Sequence, residues 1–285
     1  DIKIVSTGGG AAGIACLNML IKLGVKKKNI WLCDINGLVY EGRTTDMNAE
    51  KAAFAQKTDL RSLDEVIENA DMFLGLSGPN ILTSSMINKM SAKPIIFALA
   101  NPSPEVMPDI ARKAASDAII ATGRSDFPNQ VNNVLCFPFI FRGALDVEAT
   151  EINDEMQLAC IDAIAEIART TTSAEAAAAY QGEALTFGPE YLIPKPFDPR
   201  LSVVVSSAVA QAAMRSGVAK KPIADLENYK DKLKEGVFKS ALLMRPVFEA
   251  AKKVNRRIVF AEGEDERVLR ACLLYTSDAA DDDRG

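Results

Sequence analysis

The sequence predicts an α/β fold, namely a Rossmann-like doubly wound parallel sheet followed by a helical C-terminal part. Short apolar segments alternate with helical patterns over residues 1–125, a glycine-rich turn joins the first strand to the first helix, and helical patterns dominate from residue 139 onward. Apolar strands that alternate with helices are typical of a parallel sheet with crossover helices on both faces.

The individual elements follow from this alternation. The predicted strands are 2–5, 30–33, 72–76, 95–99 and 118–121. The predicted helices between and after them are 11–24, 46–57, 62–69, 83–90 and 105–115. Because the strands are apolar along their whole length, we expect both faces of the sheet to be covered.

The second half of the chain has a different character. An apolar face at helical spacing is predicted from Leu158, Ile161, Ile164, Ala165 and Ala168. The proline-rich segment 187–201 predicts an extended connector, because proline cannot continue a helix. A further helix then ends at Gly217, a residue type suited to a helix C-cap.

These patterns predict four regions. Residues 1–217 form one domain, made of a sheet core over about 1–125 and a helical completion over 126–217. Residues 218–254 are predicted to be a helical linker, and 255–271 the start of another domain. Residues 272–285 look like a translated sequencing adapter, so we expect a non-native tail. Because the chain opens directly on a strand at Asp1, we also expect the parent protein to contain residues upstream.

Composition excludes several classes of function. The net charge of -5, without a clustered excess of Lys and Arg, argues against nucleic-acid binding. No apolar run reaches the roughly 18 residues that span a bilayer, so no membrane segment is predicted. The five cysteines lie among apolar neighbours without metal-ligand spacing, which predicts small buried side chains in a reducing compartment and no structural zinc site. The absence of histidine means that any proton transfer must use Lys, Tyr or a carboxylate.

The motif Gly8-x-Gly10-x-x-Gly13 lies between a predicted strand and a predicted helix, which is the context that gives this pattern its meaning. Gly8 permits the tight turn, Gly10 lets a diphosphate approach the backbone, and Gly13 allows close packing of helix on sheet. The amides beside Ala11 and Ala12, at the positive end of the helix dipole, would face the diphosphate. The motif therefore predicts a dinucleotide site.

Asp34 ends the second predicted strand, 21 residues after Gly13, where a carboxylate can accept hydrogen bonds from the adenosine ribose. A carboxylate at this position favours NAD, because it repels the additional phosphate of NADP. Arg43 lies in the following loop and is a candidate partner for that phosphate. The choice between NAD and NADP therefore stays open.

Polar groups also follow the later strands. Asn101 precedes a proline at the end of the fourth predicted strand, so its amide is predicted to point into the ligand crevice. Asn132 and Asn133 follow the fifth strand and can hydrogen-bond a carboxylate or hydroxyl of a small substrate. Either feature can also be a simple turn or a side-chain-capped loop.

Six segments of the chain are informative in combination: VSTGGGAAGIACLN, CDINGLVYEGR, FLGLSGP, FALANPSPE, TGRSDFPNQVNNVLCFPFIFRGALD and FGPEYLIPKPFDPRL. Together they resemble the cofactor domain of bacterial malic enzymes, and the resemblance covers about residues 1–271. The segment RIVFAEGEDERVLRA is similar to the start of the phosphotransacetylase-like domain that is fused to the long form of these enzymes.

The resemblance implies that the parent protein oxidises and decarboxylates (S)-malate to pyruvate and carbon dioxide. It implies NADP or NAD as cofactor and Mg²⁺ or Mn²⁺ in the complete enzyme. It also implies that the loop from Gly8 to Gly13 holds the diphosphate, that Asp34 lies near the ribose, that Asn101 lies at the nicotinamide end, and that Asn133 contacts malate. A homo-oligomer in the cytoplasm is expected on the same ground.

This chain departs from the family pattern in one respect. The family's proton-transferring Tyr and Lys and its three acidic metal ligands correspond to sequence upstream of Asp1, so no catalytic or metal-binding residue is assigned here. We therefore expect dinucleotide binding without turnover by this chain alone. Two alternatives stay open from the residues: another Rossmann-fold dehydrogenase of amino or hydroxy acids, and a non-catalytic dinucleotide-sensing domain.

Overall fold

The computed structural model describes residues 2–170, 185–196 and 198–236. Its centre is a six-stranded sheet with the strand order β3-β2-β1-β4-β5-β6. The strands are β1 Ile4–Thr7, β2 Ile30–Asp34, β3 Gly37–Leu38, β4 Met72–Gly75, β5 Ile95–Ala98 and β6 Ile119–Thr122. All neighbouring pairs are parallel except β2 and β3.

Helices connect the strands and then continue alone. They are α1 Ala11–Lys22, α2 Ala49–Ala52, α3 Leu63–Val66, α4 Ser84–Ile87, α5 Pro108–Ala114, α6 Phe137–Asp146, α7 Asp154–Arg169, α8 Pro199–Arg215 and α9 at 226–236. Short 3₁₀ helices occupy Lys27–Asn29 and Asn133–Leu135. The predicted α/β class, with a helical part after the sheet, is confirmed.

Both faces of the sheet are covered. Val5, Phe73 and Ile96 face one apolar cluster, which also contains residues of the α3, α4 and α5 segments. Leu32 and Leu74 face the opposite side, where they pack with residues of α1. Strands buried on both sides explain why the sequence reads as continuous apolar segments rather than as an alternating pattern.

A third apolar cluster holds the helical part together. It joins α6, α7 and α8 and includes Tyr229 and Leu233 of α9. The predicted apolar face of α7 is rotated from the buried one. The helix buries Met156, Cys160, Ala163, Ile167 and Ala168, of which only Ala168 belongs to the predicted set. Ile164 of the predicted face is partly buried against the same cluster. This helix is apolar on more than one side, so its burial is decided by the position of α6 and α8.

The other differences are local. The sheet carries an antiparallel edge strand, β3, which is too short to leave a pattern in the sequence. Three predicted helices are each reduced to four residues: 46–57 becomes α2, 62–69 becomes α3 and 83–90 becomes α4. Three predictions lie outside the described residues, namely part of the linker (237–254), the start of another domain (255–271) and the tail (272–285).

Candidate functional site

The candidate site lies at the carboxyl ends of β1 and β4, in the middle of the sheet. Here the strand order reverses, because the chain moves outward to β2 on one side and to β5 and β6 on the other. The amide of Leu76 donates to the carbonyl of Thr7 at 2.9 Å, and the amide of Gly8 donates to the carbonyl of Cys33 at 3.0 Å. Open α/β sheets bind their ligands at such a switch point.

The glycine-rich turn has the backbone that the motif predicts. Gly8 has φ +105, in the left-handed region, and a Cβ atom there would overlap the carbonyl of Leu76. A Cβ atom on Gly13 would overlap the carbonyl oxygen of Gly8, so the turn and the helix are in direct contact. In contrast, a Cβ atom on Gly10 would have no neighbour within 4 Å. Packing within the described protein therefore requires glycine at 8 and 13, whereas the open space at 10 is available to a ligand.

The N-terminus of α1 faces this open space. The first described intrahelical bond runs from the amide of Ile14 to the carbonyl of Gly10 at 3.0 Å, and no side chain caps the helix. The amides of Ala11, Ala12 and Gly13 consequently lack helical partners. Ala11, together with Gly9 and Gly10, lines a cleft of about 440 Å³, which is also lined by Asn18, Asn48 and Glu50. Free amides at a helix N-terminus form a ready site for an anion such as a diphosphate.

Asp34 is held in place by two cations at the end of β2. Its carboxylate accepts two bonds from Nη2 of Arg43, at 2.8 and 2.7 Å, and one from Nζ of Lys51 at 2.9 Å. The amide of Asn36 donates a fourth bond at 2.9 Å. The side chains of Asp34, Arg43 and Lys51 are only 6%, 3% and 9% exposed. A ribose hydroxyl would therefore have to share an acceptor position with one of these donors.

Arg43 and Lys51 hold Asp34 in different ways. Arg43 also donates to the carbonyls of Gly37, Leu38 and Thr45, so its guanidinium is fixed to β3 and the following loop. Lys51 is bonded to the exposed carboxylate of Asp46 at 2.6 Å, and its stem lies against Gly9 of the glycine-rich turn. The cation beside the cleft is therefore Lys51, a residue that no motif in the sequence indicates.

The charge state of Asp34 follows from these contacts. Burial by itself raises the pKa of its carboxyl group, but the hydrogen bonds from Lys51, Arg43 and the Asn36 amide outweigh it, and the pKa lies below its ordinary value. The carboxylate therefore stays ionised at neutral pH.

Glu105 joins the loops that follow β4 and β5. It is fully buried, and its carboxylate accepts from the amide of Ser77 at 2.9 Å and from the amide of Ala100 at 3.0 Å. Its carboxyl group lies where a Cβ atom of Gly75 would be, which requires glycine at the end of β4. Sequence reasoning missed this residue, because glutamate is rarely buried and nothing in the local pattern marks it.

Asn101 lies at the carboxyl end of β5, as its position in the sequence predicts. Its peptide bond to Pro102 is cis, and its side chain is exposed. A Cβ atom on Gly123 would be 3.0 Å from its Oδ1 atom, so the amide lies next to the end of β6. Asn101 thus faces the sheet edge at a point away from the glycine-rich turn.

The two asparagines that follow β6 have different roles. Oδ1 of Asn132 accepts from the amide of Val134 at 3.0 Å and caps the 3₁₀ helix Asn133–Leu135. Asn133 is exposed, and its side chain has no hydrogen bond recorded to the described residues. The structure therefore gives Asn132 a structural role and leaves the amide of Asn133 accessible.

The described residues do not fit a metal ion. Within 2–170, 185–196 and 198–236, no group of three or more Cys, Asp or Glu side chains is arranged as a ligand set. Over the same part of the chain, no helix is both long and apolar enough to cross a bilayer.

Comparison with known proteins agrees with this geometry. A family model described as "Malic enzyme, NAD binding domain" matches residues 1–180. The chain is 57% identical over 272 residues to an NADP-dependent malic enzyme of Escherichia coli, covering 95% of this chain and 36% of the relative. It is also 57% identical over 275 residues to an NAD-dependent malic enzyme of Rhizobium meliloti, again with 36% of the relative covered.

Solved structures support the same assignment. The malic enzyme of Entamoeba histolytica matches with a TM-score of 0.74 and 29% identity, covering 98% of this chain and 54% of that protein. The NAD-dependent malic enzyme of Thermotoga maritima matches with a TM-score of 0.62 and 39% identity, covering 74% of this chain and 52% of that protein. The chain thus spans about a third, or 36%, of the length of the two curated relatives named above. It belongs to the malic enzyme family, and the matched residues 1–180 carry the family's NAD-binding domain.

Proposed function

We propose that this chain is the dinucleotide-binding part of an enzyme that oxidises (S)-malate with NAD⁺ or NADP⁺ and decarboxylates it to pyruvate and carbon dioxide. The observation that carries the proposal is the open, uncapped N-terminus of α1 beside Gly10, at the switch point of a sheet that belongs to this family. The relatives named NADP-dependent and NAD-dependent malic enzymes support both the reaction and the cofactor class.

Each part of the dinucleotide has a proposed partner in this chain. The amides of Ala11, Ala12 and Gly13 would receive the diphosphate, and Asp34 would lie beside the adenosine ribose. Ile35, which is 96% exposed next to Asp34, offers an apolar surface for the adenine ring. The amide of Asn101 would lie near the nicotinamide.

The residues of this chain would position and orient the malate and the cofactor. The nicotinamide, when bound, supplies the ring carbon that accepts the hydride. Asn133 would donate hydrogen bonds from its exposed amide to a carboxylate or hydroxyl oxygen of malate. Glu105 would keep the two loops after β4 and β5 in register, so that Asn101 holds its place. Because the described residues do not fit a divalent cation, we assign no step of the reaction to a metal here.

Replacing Gly10 by valine tests the diphosphate assignment. The valine side chain would enter the open space where the diphosphate is proposed to lie. The backbone can stay as it is, because Gly10 has φ -83, a value that valine also adopts. We expect at least about a tenfold increase in the dissociation constant for NAD⁺ and NADP⁺, measured by calorimetry, with the circular dichroism spectrum unchanged.

Gly188→Val is the matched control, because a Cβ atom at Gly188 has its nearest neighbour at 3.9 Å and lies away from the turn. The control variant should bind both nucleotides as the original chain does. If Gly10→Val binds as tightly as the control, the diphosphate does not lie at this turn.

The reaction itself is tested on the full-length protein with malate, NADP⁺ or NAD⁺, and manganese. Pyruvate formation coupled to nicotinamide reduction supports the proposal. Nicotinamide reduction with another amino or hydroxy acid but not with malate would favour a different dehydrogenase. Binding of the nucleotide without turnover of malate would favour a sensing domain. We further propose, on family resemblance alone, that the full-length protein is a cytoplasmic homo-oligomer.

A further inference from the structure

Two cysteines of the helical part contact each other. Cys136 and Cys160 have their Sγ atoms 3.3 Å apart, although 24 positions separate them in the sequence. Cys136 lies where the 3₁₀ helix Asn133–Leu135 meets α6, and Cys160 lies in the middle of α7. We propose that Cys136 and Cys160 form a modification site, at which a hydroperoxide reversibly converts the two thiols into an intrachain disulfide.

The geometry permits this bond with little movement. A disulfide has a sulfur–sulfur distance of about 2.05 Å, so the two atoms need to approach by only a little more than an ångström. Within the described residues, no other hydrogen bond holds either thiol in its present position.

The two thiols differ in exposure, which assigns their roles. Cys136 is half-buried, whereas Cys160 is only 1% exposed. A small oxidant therefore reaches Cys136 first. The hydrogen bond between the thiols lowers the pKa of Cys136 and raises that of Cys160, which favours the thiolate at Cys136.

The chemistry needs one hydroperoxide for each disulfide. The Cys136 thiolate attacks a peroxide oxygen and breaks the O–O bond, giving a sulfenic acid and, with hydrogen peroxide, a hydroxide ion. The Cys160 sulfur then attacks the Cys136 sulfur and displaces the second hydroxide, and the Cys160 thiol proton neutralises a hydroxide. The two sulfurs lose two electrons in total, and the peroxide is reduced to water. A thiol reductant reverses the change.

The disulfide would fix the segment that carries Asn133. The amide of Cys136 donates to the carbonyl of Asn133 at 3.1 Å, and the carbonyl of Cys136 accepts from the amides of Phe139 and Ile140 at 3.1 and 3.0 Å. A covalent link from Cys136 to α7 would therefore restrain the 3₁₀ helix and the first turn of α6 together. Closing this loop also restricts the unfolded chain, so the oxidised protein should melt at a higher temperature.

The test is peptide mapping of the whole chain after treatment with hydrogen peroxide. Trypsin cleaves after Arg142 and separates the two cysteines into the peptides 125–142 and 143–169. After alkylation of remaining thiols, we expect these peptides to appear joined, with the loss of two thiol hydrogens. Reduction with dithiothreitol should release them and lower the melting temperature again.

Variants make the assignment specific. In Cys160→Ser, Cys136 should be trapped as a sulfenic acid by dimedone, and no joined peptide should form. Cys16→Ser is the matched control and should leave the joined peptide unchanged. Cys33 serves as an internal reference, because burial raises the pKa of its thiol to about 12 and it should stay unmodified.

The wild-type map alone decides the outcome, even if a variant fails to fold. Joined peptides 125–142 and 143–169 as the main product support the proposal. Oxidation of Cys136 to a sulfinic acid without a link, or links that mainly involve the other cysteines, would overturn it.

Discussion

At the end of β2, a single carboxylate is surrounded by donors. Arg43 clamps Asp34 through both carboxylate oxygens and is itself fixed by three carbonyls, so it has a structural role. Lys51 has a flexible stem and shares its ammonium group between Asp34 and the exposed Asp46. If a ribose hydroxyl binds Asp34 as proposed, we expect Lys51 rather than Arg43 to move, because one of its partners is the exposed Asp46. A ribose phosphate would find the same ammonium group beside it.

Replacing Lys51 by methionine tests this assignment. Methionine keeps an apolar stem against Gly9 and removes the charge. We expect the affinity for NADP⁺ to fall about tenfold, or about 1.4 kcal/mol, whereas NAD⁺ binds as well as before or better, because one acceptor position of Asp34 becomes free. Calorimetric titration with both nucleotides measures the difference.

Lys22→Met is the control for this substitution, because Lys22 lies at the far end of α1 and pairs with Asp154 on the surface. It should change neither affinity. Equal losses for NAD⁺ and NADP⁺ in Lys51→Met would mean that Lys51 only supports the turn and does not distinguish the nucleotides.

Glu105 gives a second prediction at the scale of one residue. Glutamine in its place offers one acceptor oxygen and one NH₂ group, so the amide of Ser77 or that of Ala100 loses its partner inside the protein. We expect Glu105→Gln to lower the free energy of unfolding by about 1–3 kcal/mol. Urea denaturation of the original chain and of the variant measures this difference.

The control for Glu105 is Glu148→Gln, since the side chain of Glu148 is 61% exposed. It should change the free energy of unfolding by less than about 0.5 kcal/mol. If both variants are equally stable, Glu105 does not hold the two loops together.

Sequence reasoning was most successful where a residue's role depends on the backbone near it. Gly8 and Gly13 are required by contacts within the strand–turn–helix unit, so their spacing alone predicts the turn. Lys51 and Glu105 owe their positions to contacts with residues 17 and 28 positions away. Such contacts form only when the complete sheet is assembled. The burial of a lysine or a glutamate cannot be predicted from the local sequence, because both residue types are usually exposed.

Among the elements, the parallel strands were predicted because burial on both faces makes them apolar throughout. The edge strand β3 was missed, because two residues are too few to show the alternating apolar and polar pattern of a strand. The buried stripe of α7 was misplaced for a different reason. Alanine and isoleucine occur around most of this helix, so packing against α8 selects the buried face. Helical periodicity predicted the element but not its rotation.

Tyr229 links α9 to α6 and supplies a prediction for both elements. Its hydroxyl donates to Oδ2 of Asp146 at 2.6 Å, and Arg142 donates to the same oxygen at 2.6 Å. Burial, together with the bond to Asp146 and its charge, raises the pKa of Tyr229. Tyr229→Phe should lower the free energy of unfolding at neutral pH by about 1–2 kcal/mol.

The pH dependence of this difference follows from the raised pKa. The folded protein favours the neutral phenol, so the stabilisation is complete below the pKa of an unfolded tyrosine, about 10, and declines as the pH rises above it. Urea denaturation of the original chain and Tyr229→Phe at neutral and strongly alkaline pH should therefore show a narrowing gap. A double-mutant cycle with Asp146→Asn isolates the pair, and a coupling energy near zero would contradict the assignment.

At the scale of the whole molecule, the sheet places a glycine turn, an acidic residue and two asparagine-bearing loops at one edge. These features come from the ends of β1, β2 and β5 and from the segment after β6. Their juxtaposition follows from the strand order, because parallel strands bring their carboxyl ends to the same edge. The fold therefore explains how residues so far apart in the sequence can serve one extended ligand.

The most direct measurement is an NMR titration of the ¹⁵N-labelled chain with NADP⁺ and with NAD⁺. We predict saturable shifts of the amide signals of Gly10, Ala11, Ala12 and Gly13, because these amides are proposed to bond the diphosphate. No saturable shift with either nucleotide, or shifts confined to residues remote from the glycine-rich turn, would contradict the account.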